Sequence, residues 1–165
     1  MAIEHGASAI GLVSAMPSGP GVISEAAIAR IAGNVPPPIA TFLLTSEHDA
    51  KAIVAQQRRC GTNTLQLVDY VPADVYPCLR EGLPGISLVQ VIHVTGPEAR
   101  AQARALARQV DALILDTYDP ATGRHGATGK THDWRISREI VAEVAGPLIL
   151  AGGLTPENVA EAVGR

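Results

Sequence analysis

Asp116 closes the apolar run Ala112-Leu113-Ile114-Leu115 and is followed by Thr117. A carboxylate at the C-terminal end of a buried strand is partly desolvated, and desolvation raises its pKa toward the range useful for general acid or base work. The plainer role is a cap or loop anchor, and Asp119, with Pro120 after it, fits that role better. A second constellation lies downstream. Leu148-Ile149-Leu150-Ala151 runs straight into Gly152 and Gly153, and Thr155-Pro156 then opens a helix. A strand-to-helix turn needs one flexible residue. Two consecutive glycines suit a backbone that an anion approaches closely, and the positive end of the following helix favours the same charge. The plainer alternative is a tight turn with positive φ.

Between these two stretches lies Gly123-Arg124-His125-Gly126-Ala127-Thr128-Gly129-Lys130-Thr131. Its Gly-Lys-Thr end is like that of a nucleotide-binding P-loop. That motif needs Gly-x-x-x-x-Gly-Lys-Thr directly between a strand and a helix. Here Arg124 stands where the first glycine belongs, and Asp133-Trp134 interrupts the expected helix. The loop is therefore expected to cover a phosphorylated substrate, with a purely structural glycine-rich loop as the alternative. Cys60 and Cys78 lack metal-ligand spacing and are expected to pack. His93 falls on a strand, while His5, His48, His125 and His132 fall in helix ends or loops. Trp134 is expected to anchor its loop.

Six apolar runs are read as strands: residues 8–14, 39–44, 64–68, 87–94, 112–116 and 148–151. Helix-like stretches separate them at 24–32, 49–60, 73–81, 97–109, 136–144 and 156–163. Ser24, Ser46 with Asp49, and Thr155 before Pro156 are start signals. Gly33, Gly61, Gly82 and Gly146 stand where helices should stop. Strict alternation at one βα unit per 25–30 residues or so means α/β with a parallel sheet. An open dinucleotide-binding sheet would carry Gly-x-Gly-x-x-Gly after its first strand, and none is present. Polar and glycine residues gather after several strand ends, which favours a (β/α)8 TIM barrel with its site on one face.

The 165 residues suit a single domain, 1–165. They are 47% hydrophobic but only 3% aromatic, a core of Ala, Val, Ile and Leu. The net charge of −3 favours neither nucleic acid nor an anionic membrane. No apolar run reaches the roughly 18 residues of a membrane span. A cytoplasmic chain with free thiols is expected. Six strands are two short of a closed barrel. The chain reads as units two to seven, an incomplete TIM-barrel domain whose open edges a longer polypeptide or a homodimer would cover.

Three blocks carry a resemblance. They are Leu113-Ile114-Leu115-Asp116-Thr117, the stretch Gly126-Ala127-Thr128-Gly129-Lys130-Thr131-His132-Asp133-Trp134, and Leu150-Ala151-Gly152-Gly153-Leu154-Thr155-Pro156-Glu157-Asn158-Val159. In this order and spacing they resemble phosphoribosylanthranilate isomerase, with weaker similarity through Gly6-Ala7, Ile10-Gly11 and Leu65-Gln66-Leu67. The resemblance implies an Amadori rearrangement in tryptophan biosynthesis, turning N-(5-phosphoribosyl)anthranilate, an aminoaldose, into the aminoketose. It implies acid/base chemistry with no metal or cofactor. It makes Asp116 the general acid and Gly152 and Gly153 part of the phosphate site, with Gly126, Thr128 and Gly129 in the loop over it.

The chain departs from that family's pattern. The family's base is a cysteine in a Lys-Ile-Cys-Gly stretch on the first strand, and neither Cys60 nor Cys78 aligns with it. The family's Ser-Pro-Arg is replaced by Pro17-Ser18-Gly19-Pro20-Gly21, without the arginine that meets the anthranilate carboxylate. Its Gln-Leu-His-Gly reads Gln66-Leu67-Val68-Asp69, without the histidine. A Ser-Gly that completes the phosphate site would follow Arg165. Little or no isomerase activity is therefore expected of this chain alone. Two other readings stand beside the isomerase: a barrel acting on another phosphosugar, and a non-catalytic binding or assembly module.

Overall fold

The computed structural model describes residues 1–17, 21–119, 124–125 and 129–164. The chain divides into two compact units, one of Met1–Pro17 and Gly21–Val89, the other running from Gln90.

The first unit opens with a single 3-10 turn, Ile3–His5, stopped by Gly6 at φ 88°. Strand β1 (Ala9–Val13), helix α1 (Glu25–Ala32), β2 (Ala40–Thr45), α2 (Ala50–Cys60), β3 (Thr64–Leu67) and α3 (Val75–Gly82) then alternate. Each boundary has a local cause. The Ser24 hydroxyl accepts from the Ala27 amide at the start of α1, and the Asp49 carboxylate accepts from Ala52 at the start of α2. Gly61 ends α2 in the left-handed conformation. The strands pair in parallel, β1 with β2 (Ala9 opposite Ala40) and β2 with β3 (Phe42 opposite Thr64). Register is pinned where the Thr41 amide donates to Asn63 Oδ1 and the Asn63 amide donates to Thr41 Oγ1. Ile28, Leu43, Ile53, Leu65 and Leu79 are fully buried between sheet and helices.

Strand β4 (Ser87–His93) begins beside β3, where Ser87 donates to the Asn63 carbonyl, and continues into the second unit. There follow α4 (Glu98–Leu106), β5 (Ala112–Asp116), β6 (Tyr118–Asp119), β7 (Arg124–His125), α5 (Trp134–Glu143), β8 (Leu148–Leu150) and α6 (Val159–Gly164). Val94 donates to the Asp116 carbonyl, so β4 lies beside β5. β5 pairs in parallel with β8, Leu113 opposite Leu148. Among the described residues the parallel strands run in the order β1-β2-β3-β4-β5-β8.

Four sequence expectations need correction, and one element was not anticipated. β6 and β7 form a two-residue antiparallel ribbon that no periodicity announces. Asp133-Trp134 does not interrupt a helix but starts one. Asp133 caps α5, its carboxylate accepting from the Arg135 amide, and Trp134 is the buried first residue of the helix rather than a loop anchor. The last helix does not begin at Pro156. Residues 156–158 form a turn in which Asn158 Oδ1 accepts from the Thr155 amide, and α6 is only six residues long. Cys60 packs as expected, but Cys78 lies exposed on α3.

Candidate active site

All the described residues of the candidate site belong to the second unit. Asp116 is the last residue of β5 and is half-buried. Its Oδ1 accepts from the amide of Thr117 at 2.7 Å, which holds the carboxyl beside the strand end. Thr117 is buried. Its hydroxyl meets Nδ1 of His132 at 3.2 Å, and Nε2 of the same ring meets the buried Ser137 hydroxyl on α5 at 2.6 Å. Burial holds the His132 imidazole below the ordinary histidine range, while the Asp133 carboxylate beside it pulls the other way. A neutral ring with both nitrogens engaged results.

The two glycines face this group. Gly152 sits at φ 86° and Gly153 at φ 64°, a backbone region that L-residues adopt at a cost. A methyl at Gly152 would collide with the Thr117 hydroxyl and stand 2.8 Å from Asp116 Oδ1. One at Gly153 would stand 2.5 Å from the carbonyl carbon and oxygen of Lys130 and 2.7 Å from the Thr131 nitrogen. Asn158 Nδ2 donates to the Gly153 carbonyl at 2.9 Å and fixes the turn. The double glycine therefore has a complete steric reason. It lets β8 end against Asp116 and Thr117 on one side and against the Lys130-Thr131 backbone on the other. The dipole expected from a helix at Pro156 shrinks with that helix, which spans six residues from Val159.

Gly129 lies in the left-handed region at φ 69°, and among the described residues nothing beyond its chain neighbours stands within 4 Å of where its Cβ would be. Gly126 and Thr128 lie outside the described residues. A cleft beside the strand ends is lined by Val94, Thr117, Tyr118, Lys130, Thr131 and His132. The ring of His93, at the end of β4, faces that of Tyr118 at 6.1 Å between centroids. Among the described residues no group of three His, Cys, Asp or Glu side chains is placed to hold a metal ion. Cys60 is fully buried and its thiol is pushed up to about 11 by desolvation, so it is no base near neutrality. Asp69, half-buried, follows β3 in the first unit.

Sequence reasoning singled out Asp116 and the glycines but missed Thr117, His132 and Ser137. The available signal was the run Thr131-His132-Asp133, in which a histidine directly precedes a helix cap.

The family model described as N-(5'phosphoribosyl)anthranilate (PRA) isomerase matches residues 3–165. An N-(5'-phosphoribosyl)anthranilate isomerase 2 of Methanosarcina mazei is 41% identical over 164 residues, 99% of this chain and 73% of the relative. A crystal structure of phosphoribosyl anthranilate isomerase from Thermotoga maritima is similar with a TM-score of 0.83 at 26% identity, over 99% of this chain and 75% of that one. Another, of an isomerase in complex with reduced 1-(o-carboxyphenylamino)-1-deoxyribulose 5-phosphate, is similar with a TM-score of 0.79 at 23% identity, over 99% and 73%. The fold is therefore of the (β/α)8 TIM-barrel type, with six parallel strands among the described residues.

Proposed function

The chain belongs to the N-(5'-phosphoribosyl)anthranilate isomerase family, an isomerase family of tryptophan biosynthesis, and we propose that Asp116 is the general acid of its Amadori rearrangement. The carboxylic acid donates its proton to the ring oxygen of the phosphoribosyl group. The C1–O bond breaks as the nitrogen lone pair forms a C1–N iminium. Loss of the C2 proton to a base gives the enolamine, and tautomerisation gives the aminoketose. The observation that carries this reading is the half-buried Asp116 at the end of β5, with Gly152 leaving room at its Oδ1. In this reading the backbones of Gly152 and Gly153 supply part of the phosphate site, and Gly126, Thr128 and Gly129 are its further candidate residues.

The ligand is a phosphorylated sugar. The same reading treats residues 1–165 as one domain working in the cytoplasm, in keeping with the free thiols of Cys60 and Cys78. Among the described residues no helix is long and apolar enough to cross a membrane. A second copy of the chain would cover the exposed Val141, Ile149 and Val163 of the second unit.

A second reading, another phosphosugar as substrate, draws on Val68 where the family has histidine and on the missing arginine at residues 17–21. The test is the loss of anthranilate-type fluorescence when the chain meets phosphoribosylanthranilate, with Asp116→Asn beside it. Whatever turnover the chain shows should fall about 10²–10⁴-fold in the variant, the usual contribution of one proton-transfer group. Undiminished turnover in Asp116→Asn would remove Asp116 from the mechanism. Binding that depends on phosphate but not on anthranilate would favour the second reading.

A further inference from the structure

We propose that His132 is a positioning residue for the acid, acting through Thr117; this rests on the reading of Asp116 as the acid. Three contacts form one chain across the site. The Ser137 hydroxyl, anchored on α5, meets His132 Nε2. His132 Nδ1 meets the Thr117 hydroxyl. The Thr117 amide donates to Asp116 Oδ1. Thr117 is thus held by its side chain on one side and holds the carboxyl by its backbone on the other. Gly152 closes the space, since the Thr117 hydroxyl and Asp116 Oδ1 both lie where its Cβ would stand.

The chemistry of the ring explains why histidine suits this place. A neutral imidazole has one donor and one acceptor nitrogen, so it joins two hydroxyls in either tautomer. With the proton on Nδ1 the ring donates to Thr117, and the Thr117 hydroxyl proton is then free to turn toward the space beside Gly152. With the proton on Nε2 the ring donates to Ser137 and accepts from Thr117. A carboxyl that gives up a proton and recovers it alternates between donor and acceptor. A neighbouring hydroxyl that alternates in step suits it. Half-burial keeps the ring neutral and so keeps both arrangements open. His132 is tied to Asp116 through Thr117, so its removal should move the acid's geometry.

The test is a double-mutant cycle on the 1–165 chain with phosphoribosylanthranilate: His132→Ala, Thr117→Val and both together, with His132→Asn as the conservative variant. His132→Ala should lower kcat about tenfold, the equivalent of one lost neutral hydrogen bond, with KM nearly unchanged. Thr117→Val should do the same, and the double variant should be no worse than the poorer single one. His132→Asn, which keeps a donor and an acceptor, should recover part of the loss. Effects that multiply in the double variant, or kcat unmoved in His132→Ala, would overturn the proposal. If parental turnover lies below detection, the Thr117 amide proton and the Asp116 carboxyl carbon are followed by NMR. Both resonances should move in His132→Ala, and an unmoved pair overturns the proposal equally. Asp116→Asn with parental turnover would instead sink the reading of Asp116, whatever His132 does.

Discussion

Gly152→Ala separates steric room at the acid from ordinary backbone strain. The new methyl would enter a backbone at φ 86°, which costs an L-residue about 1–2 kcal/mol. For a chain of this length each kcal/mol lowers Tm by about 2–4 °C, so strain alone predicts a fall of about 5 °C. The methyl would also stand 2.8 Å from Asp116 Oδ1 and collide with the Thr117 hydroxyl. Ordinary contact begins at 3.4 Å, so the carboxyl and the hydroxyl must both retreat. Displacements on the order of 1 Å in a reacting group cost about 10²-fold in rate. Gly85→Ala is the matched control, because Gly85 has φ 81° and nothing near its absent Cβ. Both variants should lose Tm in thermal unfolding followed by circular dichroism, Gly152→Ala by more, because its methyl also collides with the buried Thr117 side chain. In the anthranilate fluorescence assay only Gly152→Ala should lose kcat/KM, by about 10²-fold. Turnover in Gly152→Ala within threefold or so of the Gly85→Ala control would refute the argument that this glycine keeps the acid in place.

Two further outcomes follow from burial. The Cys60 thiol is fully buried and pushed up to about 11, while Cys78 is exposed. A thiol reagent should therefore titrate one cysteine in the native chain and both in denaturant, and two fast thiols in the native state would show that α2 does not pack as described. The His132 imidazole is held below its ordinary value by burial, so the folded chain takes up this proton at lower pH than the unfolded chain. Just below pH 6.5 the unfolded state binds more protons, and stability falls as pH drops through that range. The urea midpoint measured at about pH 7.5 and about pH 5.5 should show this loss, and His132→Asn should show a smaller one; equal slopes would place the ring in water.

The six parallel strands were legible within about a residue, because each is a short apolar run bounded by polar or glycine residues. The Ser24 cap was legible for the same local reason, whereas Ser46 three residues before Asp49 was the start signal read for α2 and the cap is Asp49 itself. The start of α5 was not. Asp133-Trp134 reads as an interruption of the helix that a phosphate-binding loop would need after Gly-Lys-Thr, yet an aspartate is also a preferred group for accepting the first amides of a helix. The β6–β7 ribbon was illegible because two polar residues per strand carry no period. His132 was illegible for a different reason. Its partner Thr117 lies fifteen residues away in sequence, and nothing local to a histidine in a loop names the hydroxyl it will meet. Cys78 was misread because hydrophobicity sets an average, whereas the face of α3 decides burial. Val75, Tyr76 and Leu79 turn inward and leave Cys78 outside.

The double glycine was singled out for one reason, and the structure supplies another. Read locally, two glycines exceed what one turn needs, and the surplus points to an anion. The structure accounts for both by geometry alone, through two positive φ angles and two close approaches. What the second view adds is the neighbour. The missing methyl at Gly152 is the room in which Asp116 Oδ1 and the Thr117 hydroxyl lie, so this position serves the proposed acid directly. The missing methyl at Gly153 lets the Lys130-Thr131 backbone close on the strand end. That contact brings the chain leading to His132 within reach of Thr117. A phosphate bound at these glycines would therefore share its floor with the acid. The proposed acid after β5 and the proposed anion cradle after β8 would thus lie on two faces of one turn.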